Sequence, residues 1–434
     1  MTETVNNEMM TDLDRAWEIL MANKSNVRVA VQVAPAVRVA IGEEFGLVKG
    51  EDALGKMTNA LRVLGADLVL DGAIAEDANV YRLAQEIKTR KENGGARPVV
   101  FSQNSDWTKA ALENEALAPY VVEMRPAMQA LAVAVKKTFL GDGKRTFVIA
   151  IVPCDCKKEA VKTVGLRQGE KPAVDLALTT VEIADILRSA ELDLKYVPAS
   201  PWDEPFGVPS GSGYIADIGG GVAEGVLRCM ANDRSPEGIR RIEYSGVRGY
   251  KEMRVGYSDV NATVVCKDSA EQTVQSVLDG NCNSAFVEVV GNPLGCVAGN
   301  GQPACDDNAL RMRAYALYSI DKRADVRVAD EAEDTVALAN AFAEDEGNDG
   351  FDELEVSLSP FEVTAEEVVE EVAEEPALVE EVAEEPAPVE EVAEEPEIEE
   401  TKEEPEQEKG PKTFDPNYRR MSKRERRKMK RERN

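Results

Sequence analysis

The chain reads as an α/β protein with parallel or mixed sheets carrying helices on both faces. Between residues 27 and about 330, short apolar strand-like runs alternate with amphipathic stretches of helical period. Apolar strands separated by helices of this length imply parallel pairing with helical crossovers. The length of 434 residues and the 43% hydrophobic content allow a large core and two or three domains of ordinary size.

Residues 1–26 form a short helical lead-in, carried by DRAWEILMA. Strands are then expected at 27–37, 66–74, 97–103, 145–153, 174–180, 241–247 and 284–290. Helices are expected from KMTNALRVLG, VYRLAQEIKTRKENGG, AMQALAVAVKKTFL, VEIADILRSAE, GGVAEGVLRCMAND and SAEQTVQSVLDG. In open α/β sheets ligands sit at the carboxyl ends of strands. Four polar or Gly-rich segments follow strands here: APAVR, SQNSDW, PCDCKKE and GNPLGCVAGNGQP. The last has glycines at 291, 295, 299 and 301 around a single cysteine, Cys296, the layout of a cofactor loop.

Composition excludes several chemistries. There is no histidine, which removes serine or cysteine triads built on His and HExxH zinc sites. Catalysis must use Cys, Lys, Asp/Glu, backbone or a cofactor. No apolar run approaches the roughly 18 residues of a membrane span. The acidic start MTETVNNEMMTDLD lacks the apolar region of a secretory signal. With that start, seven cysteines read as reduced thiols of a cytoplasmic protein.

The net charge of −30 is concentrated: roughly two-thirds of it comes from about 360 to 408. There VEEVAEEPA recurs with a ten-residue period, placing AEEP at 373–376, 383–386 and 393–396. Segments this charged and Pro-punctuated cannot bury enough surface to fold. The domain expectation is therefore a folded region over 27–340, a disordered acidic linker over 341–412 and a basic tail over 413–434. The tail reads as an electrostatic arm for nucleic acid, or as a solvated end that folds back on the acidic linker.

Several segments together resemble the catalytic domain of the [FeFe]-hydrogenases, the iron-only hydrogenase large subunit. VAVQVAPAVRVAIGEEFG is similar to the family's opening strand and loop, and VPCDCKKEA to its MPCxxKK motif. VEVVGNPLGCVAGNGQP resembles its ExMACPGGCxxGGGQP motif. DLALTTVEIADIL, SGSGYIADIGGGVAEGVLR and ALRMRAYALYSID match in the family's order, so the resemblance runs from Val27 to Tyr318. It implies two lobes of parallel or mixed sheets flanked by helices, with the site cleft between them. It also implies the H-cluster, a [4Fe–4S] cube bridged by one cysteine to a diiron unit with CO and cyanide ligands. Four thiolates hold such a cube.

The resemblance assigns two of those four to Cys154 and Cys296, Cys296 being the bridging ligand, and sets Pro35, Gly295 and Gly299 against the cofactor. Lys157 matches the lysine that contacts a cyanide ligand. The other two ligand positions are Asn104 and Asn292, and Gln103 replaces the proton-shuttling cysteine beside Trp107. A neutral amide is a poor iron ligand, and Asn also reads as a loop residue bonding its own turn. The family's relay glutamate falls at Leu83 and its relay serine at Val121, leaving Glu86; Val152 and Val290 replace the methionines packing the diiron unit. Cys156 and Cys305 suggest a rebuilt four-thiolate site with Cys154 and Cys296, for zinc or a different cluster; ordinary reduced thiols are the plainer reading.

The expectation is a family member whose H-cluster pocket is degenerate, without a complete H-cluster or normal hydrogen chemistry, kept as a binding or sensory module. An alternative is an active ferredoxin-linked oxidoreductase or redox sensor with an altered iron–sulfur centre. Another is an adaptor acting through the charged tail. The corresponding partners are a ferredoxin-like electron donor or a regulatory protein.

Overall fold

The computed structural model describes residues 11–21, 26–163, 173–239, 243–245, 252–257, 260–292 and 294–347. The acidic repeats and the basic ending lie outside these residues. In chain order the strands are β1 (Val27–Val33), β2 (Leu68–Asp71), β3 (Val99–Ser102), β4 (Arg145–Val152), β5 (Leu176–Thr179), β6 (Glu243–Ser245), β7 (Glu252–Tyr257), β8 (Val260–Cys266) and β9 (Phe286–Val290).

They form two sheets. The first has the order β2-β1-β4-β5 and is parallel throughout. The second has the order β3-β9-β8-β7-β6, with β3, β9 and β8 parallel and the β6–β7–β8 edge antiparallel. The first sheet is covered on both faces, because successive side chains of a strand point to opposite sides. Val29, Val31 and Val33 of β1, with Phe147, Ile149 and Ile151 of β4, pack on the helices Asp12–Met21, Leu54–Val63 and Thr180–Ser189. Ala30, Val148, Ala150 and Val152 face the helices Ala127–Thr138 and Glu333–Gly347.

One long helix, Ala73–Asn93, joins the two halves of the core. Its first turns, at Ile74, Ala75 and Ala78, pack with the first sheet. Its later turns, at Val80, Leu83, Ala84 and Ile87, pack with Val99, Phe101, Val264 and Phe286 of the second. Its 21 residues span about 30 Å at 1.5 Å per residue, enough to cross between the sheets. The far face of the second sheet buries Val100, Val265, Val287 and Val289 against Ala111 and Val277 of the helices Ser105–Glu113 and Glu271–Leu278.

Several boundaries differ from the sequence expectation. The strand expected over 27–37 ends at Val33, since Pro35 fixes its own φ and starts a helical turn, Pro35–Arg38. The run 66–74 gives only β2, because the Asp71 carboxylate accepts the Ala73 N–H at 3.0 Å and begins the long helix seven residues before the expected VYRLAQEI stretch. The hairpin partners β7 and β8 were not expected as strands. No helix among the described residues is long and apolar enough to cross a membrane.

Candidate functional site

The parallel strands bring the four sequence-distant loops to one place. Ser102 of β3 lies beside Val289 of β9, so residues 103–104 and 291–296 leave the second sheet together. Val33 of β1 lies beside Ile151 of β4, which does the same for Ala34–Pro35 and Pro153–Cys154. The loops after β1, β3 and β4 border a cavity of about 1110 Å³, and residues 291–301 are not among its lining. Its walls include Pro35, Gln103, Asn104, Cys156 and Lys157, with Glu76 and Leu83 of the long helix.

Two glycines of the 291–301 loop serve backbone packing. Gly295 has φ 75°, and a Cβ there would lie 2.4 Å from the Gly219 nitrogen. A Cβ on Gly299 would lie 2.2 Å from the Pro153 carbonyl oxygen. The close approach expected of this loop is thus made, at these two positions, to neighbouring protein backbone. The Cys296 N–H donates to the Asp217 carbonyl at 2.8 Å, and Gly301 N–H to Pro153 at 3.1 Å.

Both asparagines are engaged by their own loops. The Asn104 side-chain oxygen accepts the Trp107 N–H at 2.9 Å and caps the helix Ser105–Glu113. Asn292 accepts the Leu294 N–H at 3.1 Å and donates to the Ala298 carbonyl at 3.1 Å. A Cβ added to Gly291 would be 3.3 Å from the Asn104 amide nitrogen, so the two loops adjoin. Replacing Asn104 with Ala should cost about 1 kcal/mol through the lost cap. A urea melt reads this; an unchanged midpoint would mean that water replaces the amide at no cost.

Sequence reasoning missed the charged centre of the site. Lys157 reaches Glu76 at 3.2 Å and Asp217 at 3.1 Å. Gln103 donates to the other Glu76 oxygen at 2.9 Å, and Ala36 N–H donates to the other Asp217 oxygen at 2.8 Å. Burial opposes the lysine's charge, but Asp217, Cys296 and Glu76 outweigh it and push the lysine pKa well above its usual range. Burial raises the Glu76 pKa against the pull of Lys157. Two adjacent carboxylates, Glu76 and Asp77, in the otherwise apolar, buried start AIAEDA were the available signal for Glu76. Lys158 is drawn the other way, to Glu182 at 2.5 Å and Asp12 at 3.1 Å.

The cysteines are unequally placed. Cys154 is buried and its sulfur lies 3.0 Å from that of Cys156, which is exposed. The shared hydrogen bond with Cys156 and burial raise the Cys154 pKa, while the same hydrogen bond lowers Cys156 to about 7. Cys296 is partly buried, with its pKa pushed well up by burial and by Asp217. Cys305 is exposed. Among the described residues no three Cys, Asp or Glu side chains gather in a geometry that would hold one metal ion.

Of the proton-route positions, Leu83 and Val121 are buried and apolar, and Glu86 pairs with Arg90 at 2.6 Å. A [4Fe–4S] cube takes four thiolates. The four positions that the resemblance assigns as ligands provide two thiols and two amides already bonded to backbone, so the residues present do not fit a four-cysteine cube.

Residues 27–300 match the model of the iron only hydrogenase large subunit, C-terminal domain. Iron hydrogenase 1 of Clostridium pasteurianum is 30% identical over 71% of this chain and 57% of its own length. The cytosolic Fe-S cluster assembly factor narfl of Xenopus tropicalis is 24% identical over 70% of each chain. A solved structure of the [FeFe]-hydrogenase HydA1 from Chlamydomonas reinhardtii superposes with a TM-score of 0.64 at 24% identity, covering 79% of this chain and 97% of the other. The chain spans less than two thirds of the length of the hydrogenase relatives it matches first.

Proposed function

Because the chain belongs to the iron-only hydrogenase large-subunit family, we propose that it is a member without hydrogen oxidation or proton reduction, kept as a binding or sensory module around the old cofactor cavity. The observation that carries this reading is the state of the two asparagines. Both occupy positions where the resemblance puts iron ligands, and both spend their amides on loop backbone. Lys157 supports it: its ammonium is held by Glu76 and Asp217 and so is not free to meet a diatomic ligand. A fold does not carry its function along when the site residues change. Membership alone is equally neutral, since a protein named as an Fe–S cluster assembly factor is among the relatives.

Lys157 beside the two thiols sets the charge of this part of the pocket, while Gly295 and Gly299 keep the loop closed against 217–219 and Pro153. The cavity, lined by Glu76, Gln103 and Lys157 together with Val80, Leu83 and Phe101, suits a small ligand carrying both polar and apolar groups. Assay of hydrogen uptake and evolution, after anaerobic co-expression with hydrogenase maturation enzymes, tests the reading. No turnover is expected; sustained turnover would overturn it.

A further inference from the structure

We propose that Cys154 and Cys156 form a thiol–disulfide exchange couple, a redox site built from the protein's own sulfurs and independent of any cluster. This goes beyond the reading of the cavity as a binding module. Three features of the geometry carry it. The two sulfurs are 3.0 Å apart, so they need close by only about 1 Å to reach the bonded separation of about 2.05 Å. Their positions two residues apart keep the Cα atoms within about 7.6 Å, and closer where the chain turns into the helix Asp155–Thr163, inside the reach of a disulfide. Finally, the two sulfurs differ in access. Cys156 is exposed and lies on the cavity wall, while Cys154 is buried directly behind it.

That asymmetry assigns the roles. The oxidant is a small-molecule disulfide, RSSR. Cys156 gives its proton to solvent and, as thiolate, attacks one sulfur of RSSR; a bond forms from Cys156 to that sulfur, the S–S bond breaks, and the first RS⁻ leaves and takes a proton from solvent. Cys154, giving its proton to solvent, then attacks the Cys156 sulfur. The second RS⁻ leaves and is protonated, and the Cys154–Cys156 disulfide remains. Two electrons pass from the protein to RSSR, which becomes two RSH, and no net proton is made or lost. A dithiol reductant reverses both steps. Since Cys156 is on the wall next to Lys157, the oxidation state would change the surface that a cavity ligand meets.

The test uses the full chain, freed of metal by a chelator, treated with oxidised glutathione and then with N-ethylmaleimide. Cleavage after Arg145 and Lys157 places both cysteines on one peptide. The expected result is a peptide two mass units lighter than the reduced one and without maleimide. Dithiothreitol treatment should restore two labels. The Cys154→Ser variant should stop at a glutathione adduct on Cys156, whereas Cys156→Ser should show none on Cys154. Two maleimides on the oxidised wild-type peptide would overturn the proposal, as would a persistent glutathione adduct on Cys156 with Cys154 still free. Protection from maleimide in untreated protein that vanishes on chelation would make the pair a metal site instead, and would also overturn it. None of these outcomes depends on hydrogen assays, so failure here is distinct from failure of the functional reading.

Discussion

Replacing Lys157 with Met should destabilise the fold by about 3–5 kcal/mol, the usual cost of removing one partner from a buried ion pair. The lysine is the shared cation of Glu76 and Asp217, and the Asp217 side chain is fully buried. Without it two carboxylates face each other where water is scarce. Adding Glu76→Gln to the variant should restore part of the loss, because it removes one of those charges. The pH dependence has a defined sign. The Glu76 pKa is raised in the folded state by burial, so the folded chain takes up that proton more readily than the unfolded one. Stability from this group is therefore present at low pH and lost as pH rises through the raised value. In the Lys157→Met variant the deficit should shrink on acidification. Urea melts across pH read both effects; a loss below about 1 kcal/mol would mean the three groups are relaxed by solvent and brace nothing.

Changing Asn104 and Asn292 together to Cys should convert the pocket into one that binds a cube. The wild-type chain has two of the four thiols a [4Fe–4S] cluster takes, and the loops carrying the two asparagines already adjoin. After anaerobic reconstitution with iron and sulfide, the double variant should hold about four irons per chain with the broad visible absorbance of a cluster. Wild type should hold no stoichiometric cube. The substitutions give up the helix cap at Asn104 and the turn bonds of Asn292, so some stability should be lost as the cluster is gained. Hydrogen turnover should stay absent, because Gln103 is bonded to Glu76 and Leu83 still interrupts the proton route. Equal iron in both proteins would show that the missing thiols are not what keeps the cube out.

What was legible in the sequence follows from what is local. The apolar runs at β1, β3, β4, β5 and β9 are strands because they are buried on both faces, and that leaves a mark in each segment by itself. The motif loops after them were readable for the same reason. Strand ends were less so: one carboxylate, Asp71, decides where β2 stops and the long helix starts. The hairpin β7–β8 mixes polar and apolar residues at an antiparallel edge and carries a weaker pattern. The brace of Lys157 was out of reach, since its partners stand 81 and 60 residues away in the chain. Only the parallel arrangement of the sheets brings them together. The pairing of Cys154 with Cys156 was a matter of spacing, but which sulfur is exposed depends on how the helix Asp155–Thr163 leaves β4.

On the proposed reading, two missing thiolates and a lysine committed to carboxylates leave no place for the H-cluster. Infrared spectra of the anaerobically matured wild-type protein test it most directly, because bound CO and cyanide absorb where proteins do not. No such bands are expected. Their appearance, in protein that survives gel filtration, would contradict that reading.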